Sequence, residues 1–258
     1  MHLRTDEIIR IDVDYSTGSI PPPYAFGYKL RLVFEKKFVN VSFDMTYTDR
    51  EELTEEEILD EGFTLEDDFK WTGELPLIWE QELRKIYGKT NWPNNQTKAE
   101  SEEPFLKIMA KDKHDKTYRA VPANKEEWEY LLQELIQAIY EVSKKEAPMH
   151  LTFLDISADK SRYQSEIKVY FSTRTALMRY TEDGKTSERT IDWKELKSKL
   201  KTIFIPDYDY EQAIEADPSK AGKYISLGDG VWHILGKGAI NPHEGVDVLP
   251  QVEKAFRN

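Results

Sequence analysis

Ile9-Arg10-Ile11-Asp12-Val13-Asp14-Tyr15, Tyr28-Lys29-Leu30-Arg31-Leu32-Val33-Phe34 and Val39-Asn40-Val41-Ser42-Phe43-Asp44-Met45-Thr46-Tyr47 decide the fold class. In each stretch apolar and polar residues alternate, so one face of an extended strand is buried and the other is wet. Burial on one face only is characteristic of antiparallel sheets. The spacing predicts a three-stranded meander over the first 48 residues.

Beyond the meander the pattern alternates between helix and strand. Thr54 with Glu57 has the spacing of a capping box, and Gly62 suits the left-handed position after a helix over 55–61. Thr64 with Asp67 is read as opening another turn, and Pro76 as the first turn of a helix carrying Trp79, Leu83 and Ile86, ended by Gly88. A polar loop is expected over 88–103, then a hairpin of 105–110 with 116–121. Asn124 and Glu127 cap the longest predicted helix, 124–145, whose Trp128, Leu131, Leu132, Leu135, Ile139 and Val142 form one stripe.

Strands are expected at 151–156, 167–171 and 176–180, with a turn at Glu182-Asp183-Gly184. Asp192 caps a helix bearing Trp193, Leu196 and Leu200, and 208–216 reads as a weaker helix. A hairpin of 224–227 with 231–235 turns at Gly228-Asp229-Gly230, and 246–256 closes the chain as a helix. Helices opening on a tryptophan recur at Trp79, Trp128 and Trp193. The fold class is therefore α+β, antiparallel sheets covered by helices. Its organisation is two similar lobes, 1–147 acidic and 148–258 charge-balanced, or one continuous domain.

Composition narrows the chemistry. Aromatic content of 12%, with 6 Trp and 14 Tyr, marks a folded chain and supplies large contact area to offset a modest 39% hydrophobic content. With no cysteine, disulfides, thiolate metal sites and a cysteine nucleophile are excluded. No signal-peptide core or membrane-length apolar run occurs, so a soluble, cytoplasmic protein is expected. Lysine and arginine form pairs at most, as at Lys36-Lys37 and Lys144-Lys145, which argues against nucleic acid as a partner. Neither a nucleophile elbow nor a phosphate-binding loop is present, and no cofactor is implied.

Charge is concentrated in one place. Fourteen of the 34 residues from Asp49 to Glu82 are acidic and only Arg50 and Lys70 oppose them, giving −12, the net charge of the whole chain. One reading makes this a docking surface for a protein with a basic face. Glu55, Glu56, Glu57, Asp60, Glu61, Glu66, Asp67 and Asp68 would steer the partner, and Phe63, Phe69 and Trp71 would anchor it. The bland reading coats two helices with carboxylates and sends Ile58, Leu59, Phe63 and Phe69 into the core. An irregular cation site at Glu66, Asp67 and Asp68 is a weaker alternative, since no regular calcium loop is present.

The alternative function is an enzyme or small-molecule binder with a cleft in the C-terminal half, lined by Asp207, Tyr208, Asp209, Trp232 and His233. A metal held by His233, His243, Glu244 and Asp247 is weaker than a structural role for those loops, so no metal is expected. Pro21-Pro22-Pro23-Tyr24 matches a pattern read by proline-recognition domains, but prolines in a strand connection need no partner. In a third reading, as a subunit of an assembly, exposed aromatics such as Trp92 would be covered by a neighbour.

Overall fold

The computed structural model describes residues 2–92, 105–182, 184–243 and 245–257. The chain divides into two compact units, residues 1–145 and 146–258.

In the first unit the predicted meander is β1 (Ile8–Ser16), β2 (Phe26–Phe34) and β3 (Val39–Tyr47), extended by β4 (Phe69–Leu75). Between β3 and β4 lies a helix of one and a half turns, α1 (Glu55–Asp60). After β4 come α2 (Ile78–Lys89), the hairpin of β5 (Phe105–Asp112) with β6 (Thr117–Ala120), and α3 (Lys125–Ser143). The sheet runs β4-β3-β2-β1-β5-β6, antiparallel throughout.

The alternation seen in the sequence sets its two faces. Val13, Leu30, Phe43 and Ile108 share a cross-strand row on the buried face, with Trp79, Leu83, Trp128 and Leu132 of the helices also buried. On the open face Lys70, Asp44, Lys29, Asp14 and Lys107 lie in register, an alternating charge ladder across five strands. Opposite charges placed directly across strands attract, which favours this register over a slipped one. The alternation slips once. Ile8 is fully buried and Ile9 is 39% exposed, because the β1–β5 register shifts at a bulge between Ile8 and Arg10.

In the second unit β7 (Met149–Ile156), β8 (Arg162–Tyr170), β9 (Thr175–Glu182) and β10 (Lys185–Ile191) form another meander. It is followed by α4 (Trp193–Ile203), a two-residue strand β11 (Asp207–Tyr208), β12 (Gly222–Ser226), β13 (His233–Ile234), β14 (Ala239–Ile240) and α5 (Leu249–Arg257). The main sheet runs β10-β9-β8-β7-β12-β13, and β11 pairs with β14 as a separate ribbon. Strand for strand this repeats the first unit: a four-stranded meander, a helix, a hairpin added beside the first strand, a helix. Trp79 and Trp193 accordingly stand on equivalent helices, α2 and α4.

Several local expectations are corrected. The turn at Thr64 and Asp67 does not open a helix; it leads into β4, so the acidic window holds a 3-10 turn, one short helix, an edge strand and the start of α2. Residues 208–216 are not helical, because Asp207 and Tyr208 pair with Ile240 and Ala239 and only a 3-10 turn, Tyr210–Gln212, follows. Asn124 does not accept a capping bond; its amide instead donates to Glu127 Oε2 at 3.0 Å. Trp92 is not available to a neighbour. It is 7% exposed, its indole donates to Tyr87 O at 3.1 Å, and its ring lies tilted against that of Tyr87 at 4.6 Å. Residues 93–104, most of the predicted polar loop, and Asp183 of the 182–184 turn lie outside the described residues. Among the described residues no helix is long and apolar enough to cross a membrane.

Candidate docking surface in the β3–β4 connection

The acidic residues sit on a connection with a built interior. Thr54 caps α1: its hydroxyl accepts from Glu57 N, and Glu57 Oε2 accepts from Thr54 N at 2.8 Å. The Thr54 amide and then its hydroxyl hold the Glu57 carboxyl below its ordinary range. Gly62, at φ +80°, lets Phe63 N return to Ile58 O at 3.2 Å and close the helix. Ile58, 3% exposed, plugs this connection into the unit.

Arg50 is the hub. Its side chain is 13% exposed and lies 3.9 Å from the Tyr47 ring centre and 4.8 Å from that of Phe63. Nη1 donates to Asp67 Oδ2 at 2.9 Å and Thr64 O at 2.8 Å, while Nε and Nη2 donate to Pro23 O. Burial opposes ionisation of Asp67, but the Thr64 hydroxyl and amide, with Arg50, outweigh it and keep the carboxyl below its usual range. One guanidinium thus ties the β1–β2 loop, α1's exit and the approach to β4. Replacing Arg50 by methionine keeps the aliphatic stem but strands a carboxylate and two carbonyls, at an expected cost of about 2–3 kcal/mol. Amide hydrogen exchange over 49–68 should accelerate selectively. Lysine should not restore it, because an ammonium cannot span the fork.

The eleven predicted residues therefore divide. Glu57 and Asp67 are committed to caps and to Arg50, Asp68 Oδ1 accepts from Tyr47 N at 2.8 Å, and Glu61 accepts from the Tyr24 hydroxyl. The predicted aromatic anchors are packed within the unit. Phe63 meets Tyr24 and Tyr47 edge-on, and Phe69 meets Tyr140 at 5.3 Å, with the Lys145 ammonium 4.6 Å from the Phe69 ring centre. The Trp71 ring covers Gly73, where an added Cβ would lie 2.2 Å from it.

Glu55, Glu56, Asp60 and Glu66 remain exposed, joined by Glu51 and Glu52. Two apolar residues that sequence reasoning did not offer as anchors protrude among them, Leu59 at 51% and Leu65 at 60% exposure. Leu59, which the bland reading sends into the core, is exposed instead because it follows the inward Ile58 in a helix too short to bury both neighbours. The carboxylates of the weaker cation reading, Asp67 and Asp68, serve different loops. Tyr24 of the proline motif is held by Glu61 and Phe63.

In the second unit the residues of the alternative cleft take two directions. Trp232 packs with Leu154, Ile156, Tyr224 and Ile214 on one face of the sheet. His233, fully buried, lies between the rings of Tyr208 and Tyr210 at 5.1 and 4.9 Å. Neither of its ring nitrogens has a hydrogen-bond partner among the described residues. Tyr208 donates to Ile203 O, and burial pushes its phenol up. Asp209 caps the 3-10 turn, while Asp207 is exposed. A depression of about 340 Å³ in this unit lies elsewhere, between α4 and α5, lined by Lys199, Thr202, Gln251 and Lys254. There the Lys199 ammonium donates to Ala255 O at 2.7 Å, and burial pulls its pKa down against the pull of Glu195. Glu244 lies outside the described residues. Comparison with protein-family models, curated proteins and solved structures returns no match for this chain.

Proposed function

We propose that the chain is a non-catalytic, cytoplasmic interaction protein that docks a protein with a basic surface through the β3–β4 connection of its first unit. One observation carries this reading. In the second unit the equivalent strands, β9 and β10, are joined across only two residues, 183 and 184, whereas the first unit spends residues 48–68 on the same junction. The fold does not require this excursion, so its chemistry needs another reason.

That chemistry suits protein docking. Six exposed carboxylates, Glu51, Glu52, Glu55, Glu56, Asp60 and Glu66, surround Leu59 and Leu65 on a connection pre-ordered by Arg50 and the capping box. Carboxylates raise the association rate with a cationic surface, apolar side chains supply contact energy, and pre-ordering reduces the entropy lost on binding. A negative field of this kind repels nucleic acid phosphates.

The test is capture of partners on the immobilised full chain at low and high salt, beside Glu55→Gln/Glu56→Gln/Asp60→Asn. Glu57 is left intact because it caps α1. A basic protein should be retained at low salt, lost at high salt, and bound at least about tenfold more weakly by the variant, as loss of steering and contact charges predicts. Retention of the same proteins by native chain and variant alike would overturn the reading.

A further inference from the structure

We infer that the β11–β14 ribbon of the second unit is a separate docking face, suited to a basic protein segment that presents an aliphatic or aromatic side chain between lysines or arginines. It rests on residues independent of the first-unit surface.

Pairing fixes which side chains face out. Asp207 lies opposite Ile240, and Tyr208 opposite Ala239. Tyr208 and Ala239 turn inward, the one against His233 and the other 1% exposed. Alternation then turns Asp207 and Ile240 outward. Ile240 is 42% exposed, Ile205 37% and the neighbouring Phe204 49%. Tyr210, 60% exposed, is braced by His233 and by its hydroxyl bond to Asp229 at 2.9 Å. A ribbon of two such short strands covers nothing with its outer face. It is also no part of the repeated architecture, because only residues 121–124 separate β6 from α3 where the second unit inserts β14.

Charge chooses the occupant. Between Lys201 and Lys220 there are five acidic residues and no basic one. Several carboxylates elsewhere in this unit are paired with a cation: Glu188 with Arg179, Glu195 with Arg189, Asp155 with Arg257, Glu253 with Lys223 and Arg257. Asp207, Glu211, Glu215 and Asp217 form no ion pair among the described residues. From Pro148 onward the chain has 17 acidic and 16 basic residues, so without these five the unit would be positive. An exposed apolar strip that carries Asp207 across from Ile240 and Glu211 beside Tyr210 is complementary to a cationic, apolar-centred segment: opposite charge steers and the apolar centre holds. A second copy of this acidic chain fits less well.

The test uses the full chain and a fluorescein-labelled twelve-residue peptide of alternating lysine and leucine, read by anisotropy, with the site located by amide hydrogen exchange. Native chain should bind and gain protection over 204–211 and 239–241. Ile205→Ser/Ile240→Ser, and separately Asp207→Asn/Glu211→Gln, should each weaken binding at least about tenfold, equivalent to about 1.4 kcal/mol. All four positions are exposed or partly so, and an unchanged melting temperature verifies that the fold is retained. The first-unit variant Glu55→Gln/Glu56→Gln/Asp60→Asn should leave protection at 204–211 unchanged, whether or not the first-unit surface docks anything. No binding by native chain, native-like binding by the serine variant, or protection confined to 49–68 each overturns the inference. So does a dimer in sedimentation that the serine variant dissolves, which would give the face to a second copy.

Discussion

Trp128→Ala should destabilise the first unit by about 3–5 kcal/mol, the range for truncating a large buried aromatic whose cavity cannot collapse. Trp128 is fully buried on α3, its indole donates to Thr90 Oγ1 at 2.8 Å, and its ring lies 6.1 Å from that of Trp92. Thr90 in turn donates to Ile86 O at the end of α2, so one indole links the two helices. Truncation removes the ring contacts and also the donor that Thr90 accepts from. Trp128→Phe should recover much of the packing and leave the lost hydrogen bond, placing it between native and alanine forms by about 1–2 kcal/mol. Denaturant melts followed separately at each unit would check this. Equal destabilisation by Phe and Ala would show that packing is not the main term, and no change in either would remove Trp128 from the core argument.

Much of the fold was legible because period two and period 3.6 are local. The Val39–Tyr47 alternation and the α3 stripe from Trp128 to Ile139 each state which side is buried without knowing what covers it; Val142, the last residue of that stripe, is 41% exposed because the helix ends one residue later. What was missed depended on distant pairing. Phe69-Lys70-Trp71-Thr72-Gly73 alternates, but inside a run of carboxylates and ending on glycine it reads as loop. Only its register with Phe43 and Met45 makes it a strand, and Gly73 is there to admit the Trp71 ring. β10 sits at a sheet edge and is exposed over most of its length, so no apolar pattern announces it. Tyr208 looks like the start of a helix until Ala239 and Ile240 pair with it and Asp207 from elsewhere in the chain.

The candidate site divides in the same way. Its charge is a property of composition and was plain, whereas the direction of each apolar residue was not. Once β4 is a strand, Phe69 and Trp71 stand in register with the inward Met45 and Phe43, which aligns them with the core face. Leu59 and Leu65 inherit the exposed role because Ile58 and the Arg50-bound Phe63 already fill the inner side of a short excursion.

Raising the pH should unfold the protein well before its lysines are fully discharged, because many of its tyrosines ionise with difficulty in the native state. Burial raises the phenol of Tyr87 to about 12 and drives Tyr28 and Tyr208 higher still; Tyr15, Tyr47 and Tyr163 are raised chiefly by burial, and Tyr24 and Tyr210 by their bonds to Glu61 and Asp229. A phenol whose native pKa exceeds its unfolded value near 10 contributes stability that is complete below pH 10 and lost as pH climbs toward the native value. For the fully buried Tyr87 the loss amounts to roughly 2 kcal/mol by pH 12, and Tyr28 and Tyr208 add in the same direction. Lys199 acts oppositely, since its lowered pKa lets stability rise as pH approaches 10.5, but it is one group against several. Absorbance at 295 nm should therefore show an early step from exposed tyrosines and a later, cooperative step coincident with loss of the far-ultraviolet circular dichroism. Tyr87→Phe should flatten the alkaline limb by about one proton's worth of pH dependence, while losing the bond that the Tyr87 hydroxyl accepts from Leu3 N at 3.3 Å. If every tyrosine ionised in one ordinary step with the circular dichroism unchanged, the buried phenols would have to be reachable by solvent, and the core drawn around Tyr28 and Tyr87 would be wrong.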